Sequence, residues 1–66
     1  MNYLLEALIK KLEGEVAMAK ANIKVYETNP AGIGEHPDVV QAIETQIEVI
    51  AGAEEKIETI RKHYGT

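Results

Sequence analysis

The chain has 66 residues, no cysteine, and 11 acidic against seven basic side chains, which gives a formal net charge of −4. One core of this size rarely contributes more than about 3–5 kcal/mol without a disulfide, a metal or a second chain, and the lack of cysteine excludes disulfides and thiolate metal sites. The acidic balance disfavours nucleic acid and anionic membranes as partners, and no apolar run approaches the length of a membrane span, about 20 residues.

The first segment is predicted to be an amphipathic α-helix over residues 2–27. Its opening run, MNYLLEALIKK, has helical spacing and no early positive charge, which argues against a secretory signal and favours a cytoplasmic protein. Thr28-Asn29-Pro30 ends the helix, because the residue before a proline is pushed out of the α conformation. The predicted packing seam follows steps of three and four residues, as in paired helices, and comprises Met1, Leu5, Leu8, Leu12, Val16, Ala19, Ile23 and Tyr26.

A loop over residues 28–36 separates this helix from the next. Four helix breakers fall within it or at its border, namely Pro30, Gly32, Gly34 and Pro37. Ile33, between the two glycines, is expected to fold inward over the adjacent end of the core. The loop lies near the middle of the chain, so the two helices are expected to be of similar length.

The second helix is predicted over residues 37–64. Pro37 suits the first helical position, with His36 as the N-cap and Asp38 near the positive end of the helix dipole. Gly65 is expected to be the residue that ends the helix. The predicted seam of this helix comprises Val40, Ile43, Ile47, Ile50, Ala53, Ile57, Ile60 and Tyr64.

Folded back on each other, the two seams predict a single all-α domain, residues 1–66, built as an antiparallel two-helix hairpin. The paired layers stay in register except for one slip of a single residue, between Val16 and Leu12. Gly14 and Gly52 lie opposite each other near the slip, which predicts a close backbone approach or a local bend there. The alternative is that each glycine is merely tolerated, at about 1 kcal/mol relative to alanine.

The apolar surface exceeds what one seam requires. Val39, Ala42 and Val49 widen the apolar side of helix 2, and helix 1 carries a weaker second stripe of Leu4, Ala7, Met18 and Val25. The excess predicts a homodimer through the wide face of helix 2, forming a four-helix bundle. The alternatives are a monomer with exposed aliphatic side chains, a higher oligomer, and a hairpin that docks on a different protein.

No catalytic, cofactor-binding or metal-binding residues are assigned. His36 with Glu35 and Asp38 could hold a metal ion, but a role in starting the helix accounts for these residues. Gly32-Ile33-Gly34 lacks the lysine and hydroxyl of a phosphate loop. The carboxylate pairs at helical spacing, in a two-helix unit without a cleft, indicate a solvated face rather than an enzyme; they are Glu44 with Glu48 and Glu54 with Glu58.

The run Asn29-Pro30, Gly32-Ile33-Gly34-Glu35-His36-Pro37-Asp38, set between two charged amphipathic helices, resembles small uncharacterised helical-hairpin proteins of tailed bacteriophages, including marine ones. The resemblance implies a viral origin and expression in a bacterial cytoplasm, and it implies no activity. The expected function is therefore a small non-enzymatic protein–protein interaction or structural protein acting as a homo-oligomeric bundle. The alternative is an adaptor or inhibitor whose hairpin binds a host or viral partner.

Overall fold

The computed structural model describes residues 1–28 and 38–65, and it confirms the all-α antiparallel hairpin. Helix α1 spans Tyr3–Thr28 and helix α2 spans Val39–Tyr64, with 26 residues each. The helices pack side by side over their whole length, so the molecule measures 46 × 15 × 15 Å. The predicted bounds are 2–27 and 37–64; the end at residue 64 agrees with the observed one, and the other three bounds differ by one or two residues.

A side-chain cap explains where α1 begins, and a proline explains where it ends. Asn2 Oδ1 accepts a hydrogen bond from the backbone N–H of Leu5 at 2.9 Å, which satisfies one of the free donors in the first turn. At the other end the hydroxyl of Thr28 donates to the carbonyl oxygen of Lys24 at 2.7 Å. Thr45 makes the same bond inside α2, so this contact does not end the helix. Helix α1 ends at Thr28 because Asn29 precedes Pro30, and a residue before proline is disfavoured in the α conformation.

The N-cap of α2 is Asp38, and the prediction of His36 in this role is wrong. Asp38 Oδ1 accepts from the backbone N–H of Gln41 at 2.8 Å, and a carboxylate is a far better cap acceptor than an imidazole. Residues 36 and 37 lie outside the described part of the chain. At the far end Gly65 donates its N–H to the carbonyl oxygen of Arg61 at 3.0 Å, with an extended backbone at φ −81°.

The seam between the helices differs from the predicted one at several positions. Leu8, Val40 and Ile47, assigned to the seam by hydrophobicity, are exposed, and so are Met1 and Tyr64. Their neighbours Ile9, Val39 and Gln46 are buried or half-buried instead. Steps of strictly four and three residues then run through both helices, giving Leu5, Ile9, Leu12, Val16, Ala19, Ile23 and Tyr26 in α1 and Val39, Ile43, Gln46, Ile50, Ala53, Ile57 and Ile60 in α2.

These two series of seven match layer by layer, without the predicted slip. The predicted close approach at Gly14 and Gly52 is wrong as well. A Cβ placed on either glycine would have no atom of the rest of the structure within 4 Å, so both positions face open space. The two glycines are tolerated in their helices and make no contact within this hairpin.

The fully buried residues lie mainly in the half of the hairpin that contains the start of α1. Ile9, Leu12, Ala53, Ile57 and Ile60 form one cluster there, with Leu5 and Val16 packed against it. In the other half Ala19 is buried, and a polar layer follows, where Asn22 Nδ2 donates to Gln46 Oε1 at 3.2 Å. Alanine and this amide pair make the second half of the core thinner than the first.

Candidate interaction surface

The hairpin has two long faces, one on each side of the plane that contains both helix axes. In each helix the residues directly before the seam positions lie on one face and the residues directly after them lie on the other. Seen from one end of the hairpin, the two antiparallel helices wind in opposite senses along the chain. The residues directly before the seam positions therefore lie on the same face in both helices. Lys56 acts electrostatically on Glu15 on one side, and Arg61 Nη2 lies 3.9 Å from Glu13 Oε2 on the other.

We call the surface formed by the residues directly before the seam positions the apolar face. Within the helices it comprises the preceding positions, which are Leu4, Leu8, Lys11, Glu15, Met18, Asn22 and Val25 in α1, and Ala42, Thr45, Val49, Gly52, Lys56 and Thr59 in α2. Three of these thirteen residues are charged. The other surface, the charged face, has ten charged residues among fourteen; it comprises Glu6, Lys10, Glu13, Ala17, Lys20, Lys24 and Glu27 in α1, and Val40, Glu44, Ile47, Ala51, Glu54, Glu58 and Arg61 in α2.

The two helices contribute different side-chain sizes to the apolar face. Helix α1 supplies large side chains that remain in solvent, with Leu4 64% and Met18 68% exposed, together with Leu8 and Val25. The α2 side chains of this face are small or β-branched, apart from the long side chain of Lys56. The apolar face therefore has a raised stripe along α1 beside a lower stripe along α2.

A single ion pair crosses the middle of the α1 stripe. Lys11 Nζ donates to Glu15 Oε2 at 2.8 Å, across one helical turn. This hydrogen bond and the charge of Lys11, with a smaller contribution from Lys56, hold the pKa of the Glu15 carboxyl below its ordinary value of 4.5. The central charges of the face thus neutralise one another within the hairpin.

The charged face holds the remaining ion pairs of the described residues. Lys10 Nζ lies 3.6 Å from Glu13 Oε1, and Arg61 approaches the same carboxylate. A surface depression nearby is lined by Met1, Glu6, Ile9, Lys10 and Arg61. Pairs this exposed contribute little to stability, and they keep the charged face hydrated.

Helix α2 does not have the wide continuous apolar surface that the sequence predicted. Val39 and Ala42 are half-buried within the hairpin, which leaves Val49 as the exposed member of the predicted set. Val40 and Ile47 are exposed on the charged face instead. On the apolar face the second stripe of α1, predicted to be the weaker, supplies four exposed large hydrophobic residues, whereas α2 supplies Val49.

The described residues contain no group of three possible metal ligands, and no buried side-chain polar atom among them lacks a hydrogen-bond partner. The paired carboxylates of α2, Glu44 with Glu48 and Glu54 with Glu58, are exposed. Residues 29–37, which include Glu35 and His36 of the possible metal site, lie outside the described part of the chain. Neither described helix is long and apolar enough to cross a membrane. Comparison with protein-family models, curated proteins and solved structures finds no match for this chain.

Proposed function

We propose that this chain is a small non-enzymatic protein–protein interaction or structural protein that acts as a homodimer, in which two hairpins form a four-helix bundle. A bundle of this kind gives each helix a second neighbour, and a twofold dimer achieves this with one self-complementary surface. The resemblance to proteins of tailed bacteriophages leads us to propose the bacterial cytoplasm as its location.

The observation that carries the proposal is the excess of exposed apolar surface. The total accessible surface of the chain is 5085 Å², whereas a compact folded monomer of 7.3 kDa exposes about 4,200 Å². The elongated shape of the hairpin accounts for a larger surface of every kind. Among the described residues six hydrophobic side chains are buried, while ten large hydrophobic ones are exposed. Five of the ten share the apolar face, and they are Leu4, Leu8, Met18, Val25 and Val49. Monomeric proteins rarely expose large apolar patches, and proteins that associate display them.

The test is the mass of the unmodified protein in solution, measured by sedimentation equilibrium from low micromolar to near-millimolar concentration. We expect a species near twice the 7.3 kDa chain mass that dissociates on dilution. A folded monomer at every concentration would overturn the homodimer. The alternative would then be an adaptor or inhibitor that completes its bundle with a different protein, and the exposed surface would be its binding site.

A further inference from the structure

We propose that the second copy docks on the apolar face, so that α1 of each copy lies antiparallel along α2 of the other. The last residue of α1, Thr28, then lies at the same end of the bundle in both copies, an arrangement in which the Thr28 ends of the hairpins are together. This inference rests on the proposed homodimer and specifies its surface and its orientation. Four observations carry it, namely the charge of the two faces, their area, the sizes of their side chains and the position of Glu15.

Charge selects the face. The charged face has ten charged residues among fourteen, and covering it with a second copy would remove most of them from water. The apolar face has three among thirteen, and two of these, Lys11 and Glu15, already neutralise each other. Protein interfaces are depleted of charged residues relative to the rest of the surface, and the apolar face has fewer of them than the charged face, although its three charges lie near its middle.

The area of the apolar face suits a stable dimer. The hairpin is 46 Å long and 15 Å wide, so one face covers about 700 Å² before side chains interdigitate. A standard interface buries about 800 Å² on each partner. A second copy lying along the whole length of the hairpin therefore covers an area close to that of a standard interface.

Side-chain size selects which helices meet. The raised stripe of α1, with Leu4, Leu8 and Met18, fits the lower stripe of α2, where Gly52 has open space in place of a side chain. With the Thr28 ends together, Lys11 of one copy and Gly52 of the other lie about 3 Å apart along the bundle axis, so the aliphatic stem of Lys11 can cover the glycine. Interfaces of this type pack large side chains against small ones at the density of a protein interior.

The position of Glu15 argues against the opposite orientation. Glu15 is the middle residue of the α1 stripe, so a dimer with its Thr28 ends at opposite ends would pair α1 with α1 and bring the two Glu15 carboxylates together at the twofold axis. Like charges facing each other oppose association. That orientation would also pack the raised stripes against each other and leave the two low stripes apart.

A matched pair of variants tests the face. Val49→Glu places a charge on the apolar face, whereas Val40→Glu makes the same change on the charged face, at a position that is 79% exposed. We expect Val49→Glu to weaken dimerisation at least about tenfold in sedimentation equilibrium, because it buries an unpaired charge, and Val40→Glu to change it less than about twofold. Circular dichroism of each variant confirms that the helices remain.

Disulfide trapping tests the orientation, since the chain has no cysteine of its own. Met18 of one copy and Thr45 of the other lie about 3 Å apart along the axis of the proposed dimer, so Met18→Cys with Thr45→Cys should give a covalent dimer on mild oxidation. The control, Leu4→Cys with Val25→Cys, should stay monomeric under denaturation, because these residues of α1 face each other across copies in the opposite orientation. Disulfides form only when the two Cα atoms are within about 7 Å.

The outcomes separate this inference from the proposed function. A wild-type monomer overturns both, and it leaves the apolar face for a partner of different sequence. A wild-type dimer that tolerates Val49→Glu but is disrupted by Val40→Glu overturns the choice of face while the homodimer stands. Trapping of the control pair in place of Met18→Cys with Thr45→Cys overturns the orientation.

Discussion

At the scale of single residues, the carboxylate of Asp38 fixes where α2 begins. It satisfies the N–H of Gln41 in the first turn, a hydrogen bond that an alanine side chain cannot make. We expect Asp38→Ala to lower the free energy of unfolding by about 1 kcal/mol, and Asp38→Asn, which retains an acceptor oxygen, to have a smaller effect. Urea unfolding followed by circular dichroism measures both. Equal stability of Asp38→Ala and the wild type would contradict this role.

The second residue-scale prediction concerns the ionisation of Glu15. Lys11 holds the pKa of Glu15 below 4.5, so Lys11→Gln should raise this pKa towards 4.5. Lys10→Gln, which removes the partner of Glu13, should leave the pKa of Glu15 unchanged and serves as the control. Carbon-13 NMR titration of the Glu15 side-chain carboxyl measures its pKa in both variants.

The sign of the pH dependence follows from the same shift. Because the folded pKa of Glu15 is below its ordinary value, ionised Glu15 stabilises the folded chain above that ordinary value. This contribution is lost as the pH falls through the folded pKa. The difference in stability between the wild type and Lys11→Gln should therefore shrink on acidification, and a difference that grew would contradict the assignment.

At the scale of secondary-structure elements, Gly14 weakens α1 without contributing a contact in the hairpin. A Cβ at this position meets nothing within 4 Å, and the residue faces away from both α2 and the apolar face. Gly14→Ala should therefore raise the free energy of unfolding by about 1 kcal/mol through helix propensity alone. Thermal unfolding measures the gain, and dimerisation should remain unchanged. A loss of stability would mean that the alanine side chain at position 14 clashes with another part of the protein.

The two helices and their antiparallel pairing could be predicted from the sequence, because apolar spacing, prolines and glycines all indicate them. The residues of the seam could be predicted only in part. Hydrophobicity does not distinguish Leu8 from Ile9, and it favours Ile47 over Gln46, although Gln46 is the one that lies between the helices. Counting back from Ile60 in alternating steps of three and four residues selects the seam positions of α2, because packing geometry sets this period.

The interaction surface was harder to predict, because it depends on the rotation of each helix about its axis. A shift of one residue in the seam moves Val40 and Ile47 out of the core and onto the charged face. It also turns the α1 stripe that contains Leu4 and Met18 into the larger exposed apolar surface. Sequence spacing alone shows that excess apolar residues exist, whereas the relative rotation of the helices decides which of them share a face.

At the scale of the whole molecule, association and folding should be linked. A ligand or partner that binds only the folded chain raises its apparent stability, and in a homodimer the partner is the protein itself. We expect the midpoint of thermal unfolding of the wild type to rise with protein concentration. That of Val49→Glu should rise less. A midpoint independent of concentration would contradict a dimer that forms on folding.

The position of the buried cluster determines how this chain can fold. Leu12 and Ala53 are 41 residues apart in the sequence, so the best-packed layers form only after a long stretch of chain has been closed. Growth of the hairpin outward from residues 28–38 would at first gain only the thin layers around Ala19 and Gln46. We infer that the end of the hairpin around Ile57 opens less often in the native state than the end near residues 28–38. Amide protons around Ile57 should accordingly exchange with solvent more slowly than those around Ile43.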